Sequence, residues 1–358
     1  EYAHFRNEYM PPADEIAALR AGARREAEAQ REAVQAFFQE NFHIILPDHV
    51  FTFWAFWLGL TPLERVAMDW RSDFSSDLSI SALGISPCGI FEYFSQEGRA
   101  RIPRSGLDHR LNARFYRDPP AFFTALYGDS DGLHYGLWYD NPLEASACVV
   151  SYYSRDGGGI AYQGQTLLEA VRRGIEWAQF HMEYERDKEE QRRCRLGVLL
   201  LRDAVMEYET ADQPEQGEGY LYNDRRNIGP RIPTCNEFGV VVPSSYEQPA
   251  ERNIDLVSQA IQEDTPEVKL RVAEALQACE QGQPALALAL GHDFHWLSND
   301  RLERKDEAHL LLSKAYEKLG YTALVEIATL HHRYRDLPNV DIYNYPYNFS
   351  AEEDTSSQ

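Results

Sequence analysis

The polar residues best suited to chemistry lie in the last third of the chain. Glu280 stands just before Gly282, at the predicted end of one helix, and the run 291–295 (GHDFH) places His292 and Asp293 in the next predicted helix. A hairpin of two helices can bring a carboxylate and an imidazole to one rim, an arrangement that suits general base catalysis. Carboxylates at helix ends also serve solubility alone, so a surface role stays open.

The histidines of this region do not predict a metal centre. His292 and His295 are three residues apart and share a helical face, but Asp293 points elsewhere on that helix and no third ligand is evident. The pair His331-His332 has no carboxylate at a helical spacing, so we expect both residues at the surface. No metal site is predicted.

Familiar catalytic signatures are absent from the sequence. It contains no GxGxxG after a strand, no P-loop, no GxSxG and no HExxH. The run Gly157-Gly158-Gly159 lacks the helix that a phosphate-binding loop requires, so a loop or turn is predicted there. A stand-alone enzyme that uses Glu280, Asp293 and His292 on a small substrate therefore remains the least supported interpretation.

Composition restricts the class of partner. A chain of 358 residues suggests two domains, and a formal net charge of −22 would repel the phosphates of nucleic acids and anionic lipids. The same charge fits a basic protein surface, or serves solubility alone. Five widely spaced cysteines indicate reduced thiols rather than disulfides or zinc. No apolar run is long enough for a membrane span, and residues 1–12 do not resemble a secretory signal, so a cytoplasmic location is expected.

The elements that would position these residues differ between the two halves of the chain. Asp14 is the predicted N-cap of a helix that runs to about Glu40, and its apolar residues indicate either docking on the next domain or a coiled-coil arm. A buried helix is predicted at 50–58, followed by strands at 122–127, 134–139 and 148–153, the last one ended by the three glycines. Such short, closely spaced strands predict an antiparallel meander.

Helices dominate the remainder of the prediction. Thr166 and Glu169 form a capping box that opens a helix, and the mixed-charge run 183–195 is interpreted as a solvated extension joining the two halves. A long loop at 211–233 and a short strand at 238–243 follow. Five helices are then predicted, at 253–263, 266–280, 284–298, 305–319 and 322–334.

The predicted fold class is therefore α+β, with an N-terminal antiparallel sheet and a mainly helical C-terminal domain. The expected boundaries are an N-terminal helix over 1–41, an α+β domain over 42–180, a mainly helical domain over 181–343 and a disordered acidic tail over 344–358.

Several blocks of the sequence resemble one known family. In chain order they are Leu46-Pro47-Asp48 with Phe53-Trp54-Ala55-Phe56, Arg114-Phe115-Tyr116-Arg117-Asp118-Pro119-Pro120-Ala121-Phe122, His134-Tyr135-Gly136-Leu137-Trp138-Tyr139-Asp140-Asn141-Pro142, Phe238-Gly239-Val240-Val241-Val242-Pro243 and Leu288-Ala289-Leu290-Gly291-His292-Asp293. On these blocks the chain resembles the histone PARylation factor family over roughly residues 42–340.

The resemblance implies a fold and a function. The N-terminal domain is expected to be similar to the SMI1/KNR4 (SUKH) type. Members of the family bind the catalytic domain of a poly(ADP-ribose) polymerase and supply a glutamate that deprotonates an acceptor serine. A serine hydroxyl is a poor nucleophile until a carboxylate accepts its proton. By resemblance this chain has no cofactor of its own, and NAD is used by the partner enzyme.

The candidate base departs from the family pattern. In an ungapped alignment Glu280 falls on the aspartate of the family's Asp-Glu pair and Gln281 on its catalytic glutamate, while Ala289 replaces a further glutamate. A glutamine side chain cannot accept a proton at neutral pH. A shift of one residue would let Glu280 act as the base. The predicted partner-binding residues are Gln281, His292, Asp293 and Asp255.

Two functions from different classes follow. The first is an accessory factor that binds an ADP-ribosyltransferase, completes or modulates its active site and meets basic protein substrates. The alternative is an immunity or inhibitor protein that neutralises a toxin, an idea motivated by the SUKH-like domain, the acidic charge and Gln281 at the position of the base.

Overall fold

An antiparallel sheet forms the centre of the N-terminal half. The computed structural model describes residues 1–69, 80–104, 106–185, 187–208, 228–299, 303–337 and 339–343. The strands pair in the order β1-β2-β3-β4-β5, each antiparallel to its neighbour. They are β1 (Ser86–Pro87), β2 (Phe122–Tyr127), β3 (Leu133–Trp138), β4 (Cys148–Tyr153) and β5 (Gly157–Gly164).

Helices flank this sheet and dominate the described part of the C-terminal half. In the N-terminal half they are α1 (Tyr2–Tyr9), α2 (Ala13–Asn41), α3 (Asp48–Leu58), α4 (Pro62–Met68), α5 (Gln96–Ala100), α6 (Leu167–Met182) and α7 (Lys188–Met206). The C-terminal half contains α8 (Ile254–Gln262), α9 (Pro266–Glu280), α10 (Ala285–Leu297), α11 (Lys305–Leu319) and α12 (Thr322–Tyr334). The predicted α+β class, the meander and the five C-terminal helices are confirmed.

The three glycines at 157–159 were expected to end the last strand of the meander. Instead they begin one further strand, β5. Gly157 and Gly158 adopt φ of +81° and +78°, which turns the chain back on itself, and the strand continues to Gly164. The buried side chains of Ile160 and Tyr162 alternate with more exposed residues in this strand. This period of two marks a half-buried strand, and it is the signal that the prediction missed.

The long helix α2 packs against the protein instead of projecting as an arm. Its buried residues include Val34 and Phe38, and it packs along α3. It begins after Pro12, and Asp14 lies inside the first turn, where its carboxylate favours the positive end of the helix dipole without acting as the N-cap. Near its start, the buried guanidinium of Arg20 donates to Glu64 at 2.6 Å and also pairs with Glu207.

The mixed-charge run 183–195 does not extend α6: from Lys188 onward it is helical and mostly exposed, as predicted, but it forms the first turns of a separate helix, α7. Helix α6, capped by the Thr166 hydroxyl as predicted, ends at Met182, and α7 starts after Asp187, whose carboxylate accepts from the backbone N–H of Glu189 and Glu190. The second half of α7 is buried against α4 and α6. The prediction was based on the charges of residues 183–195 and did not take account of the apolar residues that follow them in α7.

The predicted strand at 238–243 is reduced to a single bridge. Ile232 and Val240 exchange two backbone hydrogen bonds of 2.8 and 3.0 Å, and the neighbouring Phe238 and Val242 are buried. The apolar composition of residues 238–243 therefore reflects burial of their side chains and not membership of a sheet. Most of the predicted loop at 211–233 and the whole tail at 344–358 lie outside the described residues. Among the described helices, none has the length and apolar content needed to cross a membrane.

The buried carboxylate of Asp118 joins the sheet to the loop that precedes β2. Asp118 is fully buried, and its Oδ1 lies 3.0 Å from Nε2 of His134 on β3 and accepts a hydrogen bond of 2.6 Å from the hydroxyl of Tyr152 on β4. Its Oδ2 accepts from the backbone N–H of Phe115 at 2.8 Å. Nδ1 of His134 lies 2.8 Å from the carbonyl of Gly132, so both ring nitrogens face acceptors.

The same loop also contacts the C-terminal helices. The backbone carbonyl of Asp118 lies 3.0 Å from Nε2 of His295 on α10, and Nε of Arg335, just after α12, donates to the carbonyl of Tyr116 at 2.8 Å. Arg335 also donates to the carbonyl of His295. Residues 114–118 therefore connect the sheet with two helices that are distant in the chain.

We expect Tyr152→Phe to lower the free energy of unfolding by about 2 kcal/mol, because it removes a buried hydrogen bond to a carboxylate. The adjacent Tyr153 is exposed, so Tyr153→Phe should change stability by less than about 0.5 kcal/mol. Urea unfolding of both variants measures this difference. Equal effects would mean that the Asp118 contact does not stabilise the fold.

Candidate functional site

The turn between α9 and α10 holds Glu280 in a defined place. The backbone N–H of Gln283 donates to the carbonyl of Ala278 at 2.9 Å, and that of Gly282 donates to the carbonyl of Cys279 at 3.0 Å. Together with φ of +97° at Gly282, this is a Schellman motif, which ends a helix with its last carbonyls satisfied. We call residues 279–283 the α9–α10 tip.

The tip exposes one carboxylate and one amide. The side chains of Glu280 and Gln281 both face solvent. The thiol of Cys279 donates to the carbonyl of Lys314 on α11 at 3.3 Å, and its pKa, raised mainly by burial, is held back by the charges of Lys318 and Lys314. Both lysines are exposed, and the ammonium group of Lys314 pairs with Glu317 at 3.3 Å.

A cleft of about 680 Å³ lies beside the tip. Successive turns of α9 form one wall, which includes Ala278 just before the tip, and Gln283, the last residue of the tip, lines the cleft as well. Leu256 on α8 and Leu270 on α9 also line it while remaining 58% and 59% exposed. Two large apolar side chains exposed in one concave surface are typical of a binding site.

The rim of the cleft is acidic. Glu247, Glu251, Glu267 and Glu274 line it together with two arginines. Both arginines already have carboxylate partners, since Arg271 pairs with Glu267 at 2.7 Å and Arg252 pairs with Asp293. The exposed Asp255 lies in the first turn of α8, next to Leu256, so it adds a carboxylate near the same cleft.

Two of the predicted partner-binding residues lie in the interior. His292 is 2% exposed, with Nε2 3.1 Å from the hydroxyl of Tyr316 and Nδ1 3.5 Å from Nδ2 of Asn236. Burial lowers the pKa of its imidazole to about 3, so the ring is neutral at physiological pH. The structure does not bring this imidazole to a common rim with Glu280.

Asp293 is fully buried and connects α10 to the segment before α8. It pairs with Arg252 and accepts from the backbone N–H of Cys235 at 2.7 Å. Burial raises the pKa of its carboxyl, and the Arg252 guanidinium opposes that rise. Glu280, Asp293 and His292 therefore do not form one catalytic group. Within the described residues, no group of three or more His, Cys, Asp or Glu side chains is placed to hold a metal ion.

The sequence analysis did not single out Arg252, Asn236 or the two lysines of α11 near the tip. Arg252 and Asn236 contact residues that are 41 and 56 positions away in the chain, so no pattern in the local sequence predicts these contacts. Lys314 and Lys318 reach the tip only because α11 packs against α9 and α10. A helical spacing of four residues was the available signal that they share a face.

The predicted surface position of His331 is wrong. Its side chain is 2% exposed, lies against His295 and has no hydrogen-bond partner for either ring nitrogen within the described part of the chain. Burial, reinforced by the charges of Arg335 and Arg114, lowers the pKa of this imidazole well below its usual range. The neighbouring His332 pairs with Asp306 at 2.6 Å, a carboxylate supplied by another helix.

We expect His331→Leu to stabilise the protein more at acidic pH than at neutral pH. A histidine with a lowered folded pKa contributes stability above its unfolded value of about 6.5, and that contribution is lost as the pH falls below it. Leucine takes up no proton in either state. Relative to the parent chain, the variant should gain about 2 kcal/mol between about pH 8 and about pH 5.

Urea unfolding at the two pH values measures this gain. The control is His4→Gln, because His4 is exposed in α1 and its removal should leave the pH dependence unchanged. A His331→Leu effect of the same size at both pH values would show that, at the acidic pH, this ring takes up a proton as readily in the folded protein as in the unfolded one.

Comparison with known proteins relates the chain to one family. It is 26% identical over 135 residues to histone PARylation factor 1 of Bos taurus, a match that covers 37% of this chain and 36% of the bovine protein. The Mus musculus protein of that name is 27% identical over 135 residues, covering 37% and 36%, and the Danio rerio protein is 24% identical over 161 residues, covering 45% and 43%.

Each of these matches spans less than half of the relative's own length. The family's sequence model, described as histone PARylation factor 1, matches residues 33–216. The matched region includes the sheet, α3, α6 and residues 114–118, the loop that contains Asp118. This match ends before α8, and the α9–α10 tip lies outside it. Because the match covers just over half of the 358 residues, the chain belongs to the histone PARylation factor 1 family.

Proposed function

We propose that this protein is an accessory factor that binds the catalytic domain of a poly(ADP-ribose) polymerase-like ADP-ribosyltransferase. The observation that carries the proposal is the α9–α10 tip, a rigid turn that exposes Glu280 and Gln281 at the end of an apolar cleft. Membership of the family supports a role in ADP-ribosylation. In this proposal NAD is bound and consumed by the partner enzyme.

The cleft supplies a docking surface for the transferase. Leu256 and Leu270 are exposed apolar side chains that a partner would remove from water, with a gain of about 25 cal/mol for each Å² buried. The glutamates of the rim surround them and favour a partner with basic residues around an apolar contact. This geometry is consistent with a protein ligand that lies along α9.

The tip supplies the group that would act in the transferase active site. An exposed carboxylate on a rigid turn can accept the proton of an acceptor hydroxyl as that oxygen attacks the ribose carbon of NAD, with nicotinamide as the leaving group. Glu280 is the candidate, since the neutral amide of Gln281 cannot take the proton. Lys318 on α11 adds positive charge that acts on the tip at Cys279, and this charge favours the approach of the anionic pyrophosphate of NAD.

We expect the full chain to bind the catalytic domain of an ADP-ribosyltransferase from the same organism with micromolar or tighter affinity. Leu270→Arg should weaken binding at least about tenfold, because it places a charge in the apolar centre of the cleft. Leu310→Arg adds the same charge to an exposed leucine of α11 outside the residues that line the cleft, and it should bind as the parent does.

Isothermal titration calorimetry measures both variants. The absence of a complex at micromolar concentration would count against the accessory role. A complex that forms but suppresses all modification would identify an inhibitor, the function that an immunity protein exerts on a toxin.

In the complex, Glu280→Gln should lower the rate of serine modification by about 10²–10⁴-fold while the dissociation constant stays within about twofold. Glu317→Gln is the matched control, because it removes an exposed carboxylate that also acts electrostatically on Cys279 at the tip. Mass spectrometry of the acceptor residues, with rates from labelled NAD, provides the measurement. Unchanged serine modification in Glu280→Gln would refute the base role and leave the binding role standing.

A further inference from the structure

Helix α6 carries a row of aromatic side chains on its outer face. Trp177, Phe180 and His181 lie on the face opposite the buried side chains of Val171 and Ile175, and Tyr184 continues the same spacing in the turn just after the helix. Trp177 is 45%, Phe180 41% and Tyr184 69% exposed. Their rings contact one another, with centroids 5.9 Å apart for Trp177 and Phe180 and 5.4 Å apart for Phe180 and Tyr184. We call these four residues the α6 aromatic row.

A large open cleft begins at this row. It measures about 1230 Å³, and Trp177 and His181 form part of one wall. Its floor is one face of the sheet, where Tyr135 and Ser151 are register partners on β3 and β4 and the exposed ring of Tyr153 lies at the end of β4.

The glycine run belongs to the same floor. Gly157, Gly158 and Gly159 line the cleft, and a Cβ added at Gly157 or Gly158 would meet no atom within 4 Å. Backbone without side chains leaves room for another chain to approach closely. The volume exceeds the range of about 300–1,000 Å³ that is typical of small-molecule pockets, so a longer ligand fits better.

Carboxylates outnumber cationic groups around the cleft. Asp129, Glu185, Asp187, Glu189 and Glu190 line it, whereas Arg173 and Arg193 are the arginines among its lining residues. Arg193 pairs with Glu189 at 3.2 Å, and five carboxylates against two guanidinium groups give the lining residues a net negative charge. The cleft thus combines exposed rings with negative charge, the two features that attract a guanidinium or an ammonium ion.

Trp177 differs in one respect from three other tryptophans of the chain. Trp57, Trp138 and Trp296 each have an arginine guanidinium within 6.0 Å of the ring centroid. One face of Trp177 is stacked on His181 at 4.8 Å, and among the described residues no guanidinium lies over its other face. As far as the described part of the chain is concerned, that face is available to a cation from another molecule.

We infer that the α6 aromatic row and the adjoining cleft bind an extended protein segment rich in arginine or lysine. Its cations stack on Trp177 and its neighbours and pair with the carboxylates of the rim, while its backbone lies over the glycines of β5. A nucleic acid could use the same rings, but the carboxylates repel its phosphates. This site is built from elements other than α8–α11, so it does not rest on the proposed transferase complex.

Fluorescence anisotropy of the full chain, without any transferase, tests this inference. The probe is a fluorescein-labelled peptide of alternating arginine and glycine, and the comparison peptide has citrulline in place of arginine. Because the chain has a net charge of −22, unspecific attraction of a cationic peptide must be separated from binding at this site. Substitutions that leave the charge unchanged make that separation at a salt concentration of about 0.15 M.

Trp177→Ala and Tyr184→Ala should each weaken binding of the arginine peptide about fivefold or more, since each removes an exposed ring that stacks on a cation. Tyr9→Ala removes a ring that is 44% exposed on α1 and should leave the affinity unchanged. Circular dichroism and the thermal midpoint confirm that each variant is folded.

Two results would overturn the inference. One is equal affinity of the parent, Trp177→Ala, Tyr184→Ala and Tyr9→Ala, which would show that the peptide responds only to net charge. The other is failure of the arginine peptide to bind the parent at millimolar concentration, or its binding no more tightly than the citrulline peptide. Neither result would bear on the transferase complex, because the transferase is absent from the assay.

Discussion

The buried carboxylate of Asp118 is the interaction on which the arrangement of the two halves depends. Its oxygens are satisfied by His134 and Tyr152 from two strands and by the backbone of its own loop, so the loop cannot move without leaving a charge unpaired in the interior. The carbonyl of the same residue faces His295 on α10. The position of the C-terminal helices relative to the sheet is therefore coupled to one fully desolvated polar network.

Local sequence patterns predicted most helices and strands correctly. What they could not predict is the burial of side chains that depends on contacts between residues distant in the chain. Strands of aromatic and apolar composition, such as 122–127, and helices with clear start and stop signals, such as the one from Pro266 to Glu280, needed only local information. The exposed tip with Glu280 followed from a helix end and a glycine. By contrast, the burial of His292 and His331 depends on helices that pack over them, and nothing in their immediate neighbours distinguishes a buried histidine from an exposed one.

The two candidate surfaces divide the molecule in a way that agrees with the extent of the family match. The cleft beside α6 is built from β3–β5, α6 and α7, inside residues 33–216, whereas the cleft along α9 and its tip lie beyond that match. A basic segment and a transferase would therefore use different residues of this protein. At both surfaces, carboxylates lie around exposed apolar or aromatic side chains.

The enclosure of α10 determines how the tip can respond to a partner. Most residues of α10 are buried, and the helix starts only a few residues after Glu280, with Gln283 also bonded to the backbone N–H of Glu247. A turn anchored in this way has little conformational entropy left to lose when it enters another protein. Its shape is preorganised, so the partner has to provide the complementary cavity, and discrimination between partners would depend on steric fit more than on adaptation of the tip.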